Sequence, residues 1–466
     1  MRIEQIYTNC LAEAAYYIES NGEAAIIDPL RDTDELLNLA KKSGAKIKYI
    51  FETHFHADFV SGHLDLAKKT GAKIVYGPTA KAEYDIYVGQ DYEIFKLGDV
   101  EIQLLHTPGH TMESSCFLLK DENGNNHSVF TGDTLFLGDV GRPDLAVKSD
   151  LTKEDLAGYL YESIQNKLLT LDDKVIIYPG HGAGSACGKN MKKETVGTLG
   201  EERNTNYALK EGMSKDEFVE EVLKGIFPPP QYFPKNAQLN KKGYESFDSV
   251  LNKGLTAAEP VDFQKLAEKH LILDTRDGKA YMAGHINGSL FVGLSGGFAP
   301  WVGTVVEDLN QGIIFICEEG KEEEVVTRLS RVGYDNIFGY LKGGFAAWFS
   351  SDLPIIATEN IDSSVFETIN LQNTGILDVR KPNEYQSQHV KTSVNLPLDF
   401  INSSLEEFSN FDKAYVYCAG GYRSLIAMSI LEMNGMKNFI NVNGGMKEIL
   451  KSNTPVTEFV CPSTLV

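Results

Sequence analysis

The second half of this chain is written twice, and that repetition constrains the architecture more than any other feature. Leu273-Asp274-Thr275-Arg276 returns as Leu377-Asp378-Val379-Arg380, and Gly284-His285-Ile286 as Gln388-His389-Val390, both 104 residues further on. Ile316-Cys317 and Gly343-Gly344 return as Tyr417-Cys418 and Gly444-Gly445, each 101 residues on. Solenoid repeats run to roughly 20–50 residues, so a near-constant offset twice that long describes tandem domains. The join between them falls near Asp352 to Asn360. Upstream, Phe227-Pro228-Pro229-Pro230-Gln231-Tyr232-Phe233-Pro234 cannot continue a helix or a central strand, and a boundary is expected soon after it. Three domains follow, at 1–255, 256–355 and 356–466, which suits 466 residues at about 150 per domain.

Composition removes several functions. Hydrophobic residues are 42% and charged residues 23%, the balance of a folded α/β protein and not of a disordered chain. No apolar run reaches the ~18 residues of a membrane span, and Met1-Arg2-Ile3-Glu4-Gln5 does not open a signal peptide. A cytoplasmic protein is expected. Lys plus Arg number 44 against 65 Asp plus Glu, a net charge of −21 that nucleic acid and anionic membrane would repel. Six cysteines (Cys10, Cys116, Cys187, Cys317, Cys418 and Cys461) form no CxxC pair, against both a disulfide framework and a structural zinc knuckle.

The first half alternates short apolar runs with helical stretches. Strands are expected at 24–28, 46–51, 73–76, 100–105, 129–131 and 174–178, and helices at 34–42 and 58–70. Several of these strands run into a loop that carries His or Asp. Thr53-His54-Phe55-His56-Ala57-Asp58 follows one of them, and an extended backbone there puts His54 and His56 on the same side. Thr107-Pro108-Gly109-His110-Thr111, Thr131-Gly132-Asp133-Thr134 and Tyr178-Pro179-Gly180-His181-Gly182 repeat the arrangement. One histidine alone is an ordinary hydrogen-bonded residue. Five metal-competent side chains in loops that follow strands point to a metal centre.

These motifs, in this order, resemble the metallo-β-lactamase superfamily, with its THxHxDH signature, later PGHT and GD motifs and final His. The resemblance covers residues 1 to about 250 and implies an αββα sandwich with a metal between the two sheets at one edge. Where two-metal hydrolases of the superfamily carry a second-site His, this chain has Phe59, which cannot ligate. The likeness is to the persulfide dioxygenase branch. It implies His54, His110 and Asp133 as ligands of one Fe(II) per chain, leaving His56, Asp58 and His181 to support them. Two imidazoles and one carboxylate with open positions opposite suit non-haem iron and O2. Arg142, in Gly141-Arg142-Pro143-Asp144, is expected to orient Asp133, to pair with substrate or to form a surface ion pair. Cys187, six residues beyond His181 and close to Lys189, is either a buried inert thiol or a group that handles persulfide.

Cys418-Ala419-Gly420-Gly421-Tyr422-Arg423-Ser424 follows an apolar strand and opens a helix. A Gly-rich turn at a helix N-terminus directs amides inward and stabilises a thiolate. With Arg423 and the preceding Asp378-Val379-Arg380, residues 360 to 455 resemble rhodanese, whose CxxGxR loop carries sulfur as a cysteine persulfide; a redox sensor is the rival reading. The earlier copy, 258 to 352, has the rhodanese landmarks but not the loop: Cys317-Glu318-Glu319-Gly320-Lys321-Glu322 puts Glu322 in the arginine position. Carboxylates around Cys317 raise its pKa and repel anions, so this copy reads as a degenerate spacer or docking domain.

The resemblance implies a bifunctional enzyme. The first domain oxidises a low-molecular-weight thiol persulfide, such as that of glutathione, with O2 to sulfite, and sulfur on Cys418 forms thiosulfate or is drawn from it. The rivals are a glyoxalase II-like zinc thioester hydrolase fused to a sulfurtransferase, and a non-catalytic sulfur carrier or sensor. A homo-oligomer, dimer or tetramer, is expected.

Overall fold

Alternation along the strands builds the first half into four layers. In Ser115–Lys120, Phe117 and Leu119 face one way, joining Phe51, Leu97, Ile102, Leu104 and Phe130 between two sheets. Cys116 and Leu118 face the other way, under Leu156–Leu168 helical residues that include Leu160 and Ile164. This is a computed structural model, and it describes residues 1–147 and 151–461. The last residues of the third expected domain, 462–466, lie outside the described residues.

One sheet has six strands in the order Arg2–Thr8, Glu13–Ser20, Glu23–Ile27, Lys46–Phe51, Lys73–Tyr76 and Tyr87–Val88. The second has the order Gly197–Thr198, Ile176–Pro179, Asn126–Gly132, Ser115–Lys120, Val100–His106 and Ile94–Leu97. Helices Asp34–Ser43 and His63–Thr70 cover the outer face of the first sheet through Leu36, Ala40 and Leu66. Lys153–Ser163 and Lys215–Leu223 cover the second through Leu160, Phe218 and Val222. The αββα sandwich implied by the motifs is therefore the fold. Burying Phe51, Phe117 and Phe130 contributes roughly 1.5–3 kcal/mol each and gives the loops at the sheet ends a rigid base.

The helix expected from 58 begins only at His63. Residues 58 to 62 are held out of it by Asn240, whose Nδ2 donates to the carbonyls of His56 and Phe59, both at 2.8 Å, and whose Oδ1 accepts from Ser61 N at 2.9 Å. That segment opens with Asp58 and directly follows His54 and His56, so tertiary bonding overrides its helical pattern beside the centre.

The chain divides into one unit of Met1–Phe247 with Ser330–Gly333, and another of Asp248–Leu329 with Tyr334–Val466. Apart from Ser330–Gly333, both sequence repeats lie in the second unit. Each repeat is a five-stranded sheet in which every named strand pairing is parallel. The orders are Ala257–Ala258, Ile337–Leu341, Ile313–Ile316, Leu271–Asp274, Leu290–Phe291, and Asn360–Ile361, Phe439–Val442, Ala414–Tyr417, Gly375–Asp378, Val394–Asn395. The two orders correspond strand for strand. Among the described residues, no helix is long and apolar enough to cross a membrane.

Candidate metal centre and cysteine loop

His54, His110 and Asp133 are brought together, buried, at the ends of three strands. Asp133 Oδ2 lies 3.5 Å from His110 Nε2 and 4.0 Å from His54 Nε2, and it has no hydrogen-bond partner among the described residues. The far side of each ring fixes its tautomer. His110 Nδ1 lies 2.9 Å from the carbonyl oxygen of Arg142, which can only accept, so Nδ1 carries a proton and in the neutral ring Nε2 is the lone pair. His54 Nδ1 lies 3.0 Å from Thr53 Oγ1, and that hydroxyl already donates to Asp28 Oδ2 at 2.8 Å. The hydroxyl must accept from His54, and Nε2 of His54 is again a lone pair. Two neutral nitrogens and one anionic oxygen thus converge with nothing between them to bond, a donor set that fits a divalent metal.

Gly132 makes the approach of Asp133 possible. Its φ is 47°, and a Cβ there would lie 2.4 Å from Thr53 Oγ1, the group that sets the His54 tautomer.

The electrostatics keep these roles. Burial raises the Asp133 carboxyl, but His181, then His110 and His54, outweigh it and pull it well below the usual carboxylate range. Burial, with His56 next, holds His54 well below the usual imidazole range and so neutral. His181 bridges Asp133 Oδ1 and Asp58 Oδ2, both at 2.7 Å. Burial works against its proton, yet Asp133 and Asp58 together push it well up. His56 Nε2 sits 3.0 Å from Asp28 Oδ1 and 3.5 Å from Glu52 Oε2, and those two carboxylates likewise overcome burial and raise it. Two further groups, Asp58 with His181 and Cys187, and Asp28 with Glu52 and His56, cluster around the first. In both, an imidazole pushed up by its carboxylates (His181, His56) sits among them, whereas His54, at the Asp133 Oδ2 centre, is held neutral. Phe59, fully buried, stacks on His56 with ring centroids 4.2 Å apart.

Arg142 neither orients Asp133 by its side chain nor reaches the centre. Its guanidinium is taken by both oxygens of Asp144 at 2.7 Å and by the carbonyls of Ala186 and Phe227. Its contribution is the backbone carbonyl under His110. Cys187 does lie at the centre, its sulfur within 4.8 Å of donor atoms of Asp58 and His181. Burial, then Asp58 and Asp133, push it well up, so it is held as a thiol. Sequence reading did not single out Asp28, Thr53 or Asn240 as site residues. For Asp28 and Thr53 the signal was present, since both stand where a strand runs out: Asp28 one residue past Glu23–Ile27, and Thr53 two past Lys46–Phe51.

In the second unit, Cys418 is buried beyond the strand Ala414–Tyr417. The carbonyls of Cys418 and Ala419 accept from Met446 N at 2.7 Å and Lys447 N at 3.0 Å, which turns the loop's amides the other way. Gly421 N–H then donates to Cys418 Sγ at 3.1 Å, while Gly420 lies in open space and Ser424 Oγ is 3.6 Å from the sulfur. The Gly444-Gly445 landmark has its reason here: Gly445 has φ 55°, and a Cβ on it would lie 2.2 Å from the Cys418 carbonyl oxygen. Tyr422 points away and donates to the carbonyl of Gly293, in the other repeat, at 2.7 Å. Arg423 is bidentate with Glu384, at 2.6 and 2.8 Å. In the first repeat, burial, then Glu322, Asp274 and Glu318, push the Cys317 thiol up to about 12.

Comparison with known proteins agrees with this layout. A Metallo-beta-lactamase superfamily model matches residues 8–181, and a Rhodanese-like domain model matches 259–351 and 364–452. A metallo-beta-lactamase structure from Staphylococcus aureus subsp. aureus COL superposes with a TM-score of 0.63 at 31% identity, covering 73% of this chain and 98% of that one. The class is thus a metallo-β-lactamase-fold protein extended by two rhodanese-like domains. The mitochondrial persulfide dioxygenase ETHE1 of Bos taurus is 32% identical over 212 residues, 45% of this chain and 74% of the relative. Two probable hydroxyacylglutathione hydrolases of Schizosaccharomyces pombe are 36% and 34% identical, and the chain spans only 60% and 58% of their length. The chain belongs to the metallo-β-lactamase superfamily, in its sulfur dioxygenase branch, fused to tandem rhodanese-like domains.

Proposed function

We propose that this chain is a bifunctional persulfide dioxygenase and sulfurtransferase. One thiol persulfide such as glutathione persulfide, one O2 and one water give the thiol and sulfite in a domain spanning 1–255. The domain at 356–466 carries a second sulfane sulfur on Cys418 and passes it to sulfite, forming thiosulfate and restoring the thiol. The repeat at 256–355 is the copy that does not carry sulfur.

The observation that carries this reading is the unpartnered Asp133 Oδ2 facing two nitrogens whose lone pairs are fixed by Arg142 and Thr53. His54, His110 and Asp133 would hold one iron, which when bound supplies the one-electron chemistry that O2 requires. The chain's own residues do the rest. Asp28 and the Arg142 carbonyl keep each imidazole in its ligating tautomer, and His181, protonated between Asp58 and Asp133, offsets the charge of the carboxylates. Phe59 stands against the thioester hydrolase reading, because it removes a nitrogen that a second metal would use. At Cys418 the Gly421 amide and the start of helix Tyr422–Met433 favour sulfur held as an anion.

The test is elemental analysis of protein purified without added metal, with O2 uptake on glutathione persulfide. About one iron per chain and persulfide-dependent uptake support the proposal. Two tightly bound zinc ions, with thioester hydrolysis and no such uptake, overturn it.

A further inference from the structure

The charge at the mouth of the Cys418 loop is not what an anion-binding loop would carry. Arg423 is the only cation between Cys418 and Ser424, and both of its outer nitrogens are spent on Glu384, at 2.6 and 2.8 Å. Glu384 is fixed from behind, since Lys381 N–H donates to its Oε2 at 3.2 Å at the start of helix Pro382–Ser387. A second carboxylate adds to the field at the same arginine. Asp399 acts on Arg423 electrostatically, as Cys418 does, and its Oδ2 is buried with no hydrogen-bond partner among the described residues. The nearby Arg380 adds no free charge, being bidentate with Asp378. The arginine that acts on the thiol is thus itself acted on by two carboxylates.

The other repeat gives an internal control. At the offset that aligns the two Gly/Gln-His landmarks, Glu384 falls on Ala280, and at the offset that aligns Cys317 with Cys418, Arg423 falls on Glu322. The ion pair is missing as a unit in the copy whose thiol is pushed up to about 12. The pair goes with the working loop, and neither member is a relic common to both folds.

Resting on the reading of Cys418 as a sulfur carrier, we infer that Glu384, aided by Asp399, is a specificity-determining residue that selects the donor by charge. It directs Cys418 toward sulfane sulfur borne by a thiol persulfide and against thiosulfate. Thiosulfate carries two negative charges on one compact ion and must approach two carboxylates with the arginine already neutralised. A thiol persulfide brings at most one charge to the reacting sulfur. The Cys418 thiolate attacks that outer sulfur, the S–S bond breaks, and the electron pair and a proton leave with the donor thiol. Glu384 acts through Arg423 and touches no substrate, so its role is that of a positioning residue.

The experiment uses the full chain and its Glu384→Gln and Asp399→Asn variants, each removing one charge at nearly constant shape. Sulfur transfer is measured with thiosulfate and with glutathione persulfide as donors. In parallel, Cys418 is alkylated with anionic iodoacetate and neutral iodoacetamide and quantified by mass spectrometry, a readout of local charge that needs no sulfurtransferase activity. Glu384→Gln should raise the thiosulfate-to-persulfide ratio of kcat/KM about tenfold, the size expected of one charge at several ångströms in a partly screened site, mainly through a lower KM for thiosulfate. The iodoacetate-to-iodoacetamide ratio should rise with it, and Asp399→Asn should move both ratios the same way. Unchanged ratios in both variants overturn the inference, as does a parallel loss with both donors, which would mark Glu384 as merely structural. If no protein transfers sulfur from either donor, the donor assignment falls with the sulfur-carrier reading, and a raised alkylation ratio then identifies that reading as the part that failed.

Discussion

His110 gives its Nδ1 proton to the carbonyl oxygen of Arg142, 2.9 Å away, and so presents a bare Nε2 to Asp133. A backbone atom does this, so the identity of residue 142 matters less than the path of its loop. That path is held by Arg142 N–H donating to the Cys187 carbonyl and by the guanidinium gripping Asp144, Ala186 and Phe227.

The corresponding support under His54 is a side chain and can be removed. Thr53→Val keeps the shape of Thr53 but deletes the hydroxyl that links Asp28 to His54 Nδ1. The tautomer is then no longer dictated, and metal affinity should fall about 10–100-fold, the usual cost of losing such a support. Competition titration with a chelator measures it, and an unchanged affinity would show that Thr53 does not govern the ligand.

Phe59→His should change the metal count. The residue lies beside His56 and close in sequence to Asp58, whose Oδ2 already meets His181. An imidazole there adds the nitrogen that a second ion lacks, and metal content after reconstitution should rise from about one to about two per chain. Because Phe59 is fully buried in an aromatic stack, a lower Tm should accompany the gain. Plasma emission analysis and a melting curve check both halves.

The layers of the first half and the ligand loops were legible because buried strands and post-strand histidines leave local patterns. What was not legible is how distant segments correct them. Nothing near Asp58 foretells that Asn240 will hold residues 56 to 61 out of a helix, since the two segments are some 180 residues apart. Arg142 and Arg423 show the same limit. The sequence places each beside a reactive group, but whether a guanidinium reaches that group depends on which carboxylate claims it, and Asp144 and Glu384 claim these two. Motif spacing identifies the loop; it does not give the free charge inside it.

Cys317 offers a pH test of that loop chemistry. Burial, then Glu322, Asp274 and Glu318, push its thiol up to about 12, so the folded state disfavours the thiolate. At pH 8 its alkylation by iodoacetamide should be roughly a thousandfold slower than that of an exposed cysteine, because only the thiolate reacts. The linkage runs the same way. The group binds its proton more tightly folded than unfolded, so its contribution is present below the unfolded thiol's pKa and is lost as pH rises toward about 12. Glu322→Gln should bring the reactivity of Cys317 up, and a rate at pH 8 already equal to that of an exposed thiol would contradict the assignment.

The two cysteine loops should finally separate by product. Cys418 has an amide donating to its sulfur and an arginine five residues past it in the loop, whereas Cys317 faces Glu318 and Glu322. If oxidation belongs to the His54, His110 and Asp133 centre and sulfur transfer to Cys418, the two steps are separable in one chain. Cys418→Ser should then consume O2 with persulfide at close to the unmodified rate, while its product shifts from thiosulfate toward sulfite, because sulfite has no sulfane sulfur to accept. Cys317→Ser should match the unmodified chain in rate and product, since its thiol carries nothing. Quantifying sulfite and thiosulfate beside O2 uptake for the three proteins, with circular dichroism to confirm folding, decides the matter. An unchanged product ratio in Cys418→Ser, or loss of thiosulfate in Cys317→Ser alone, would place sulfur transfer in the other repeat.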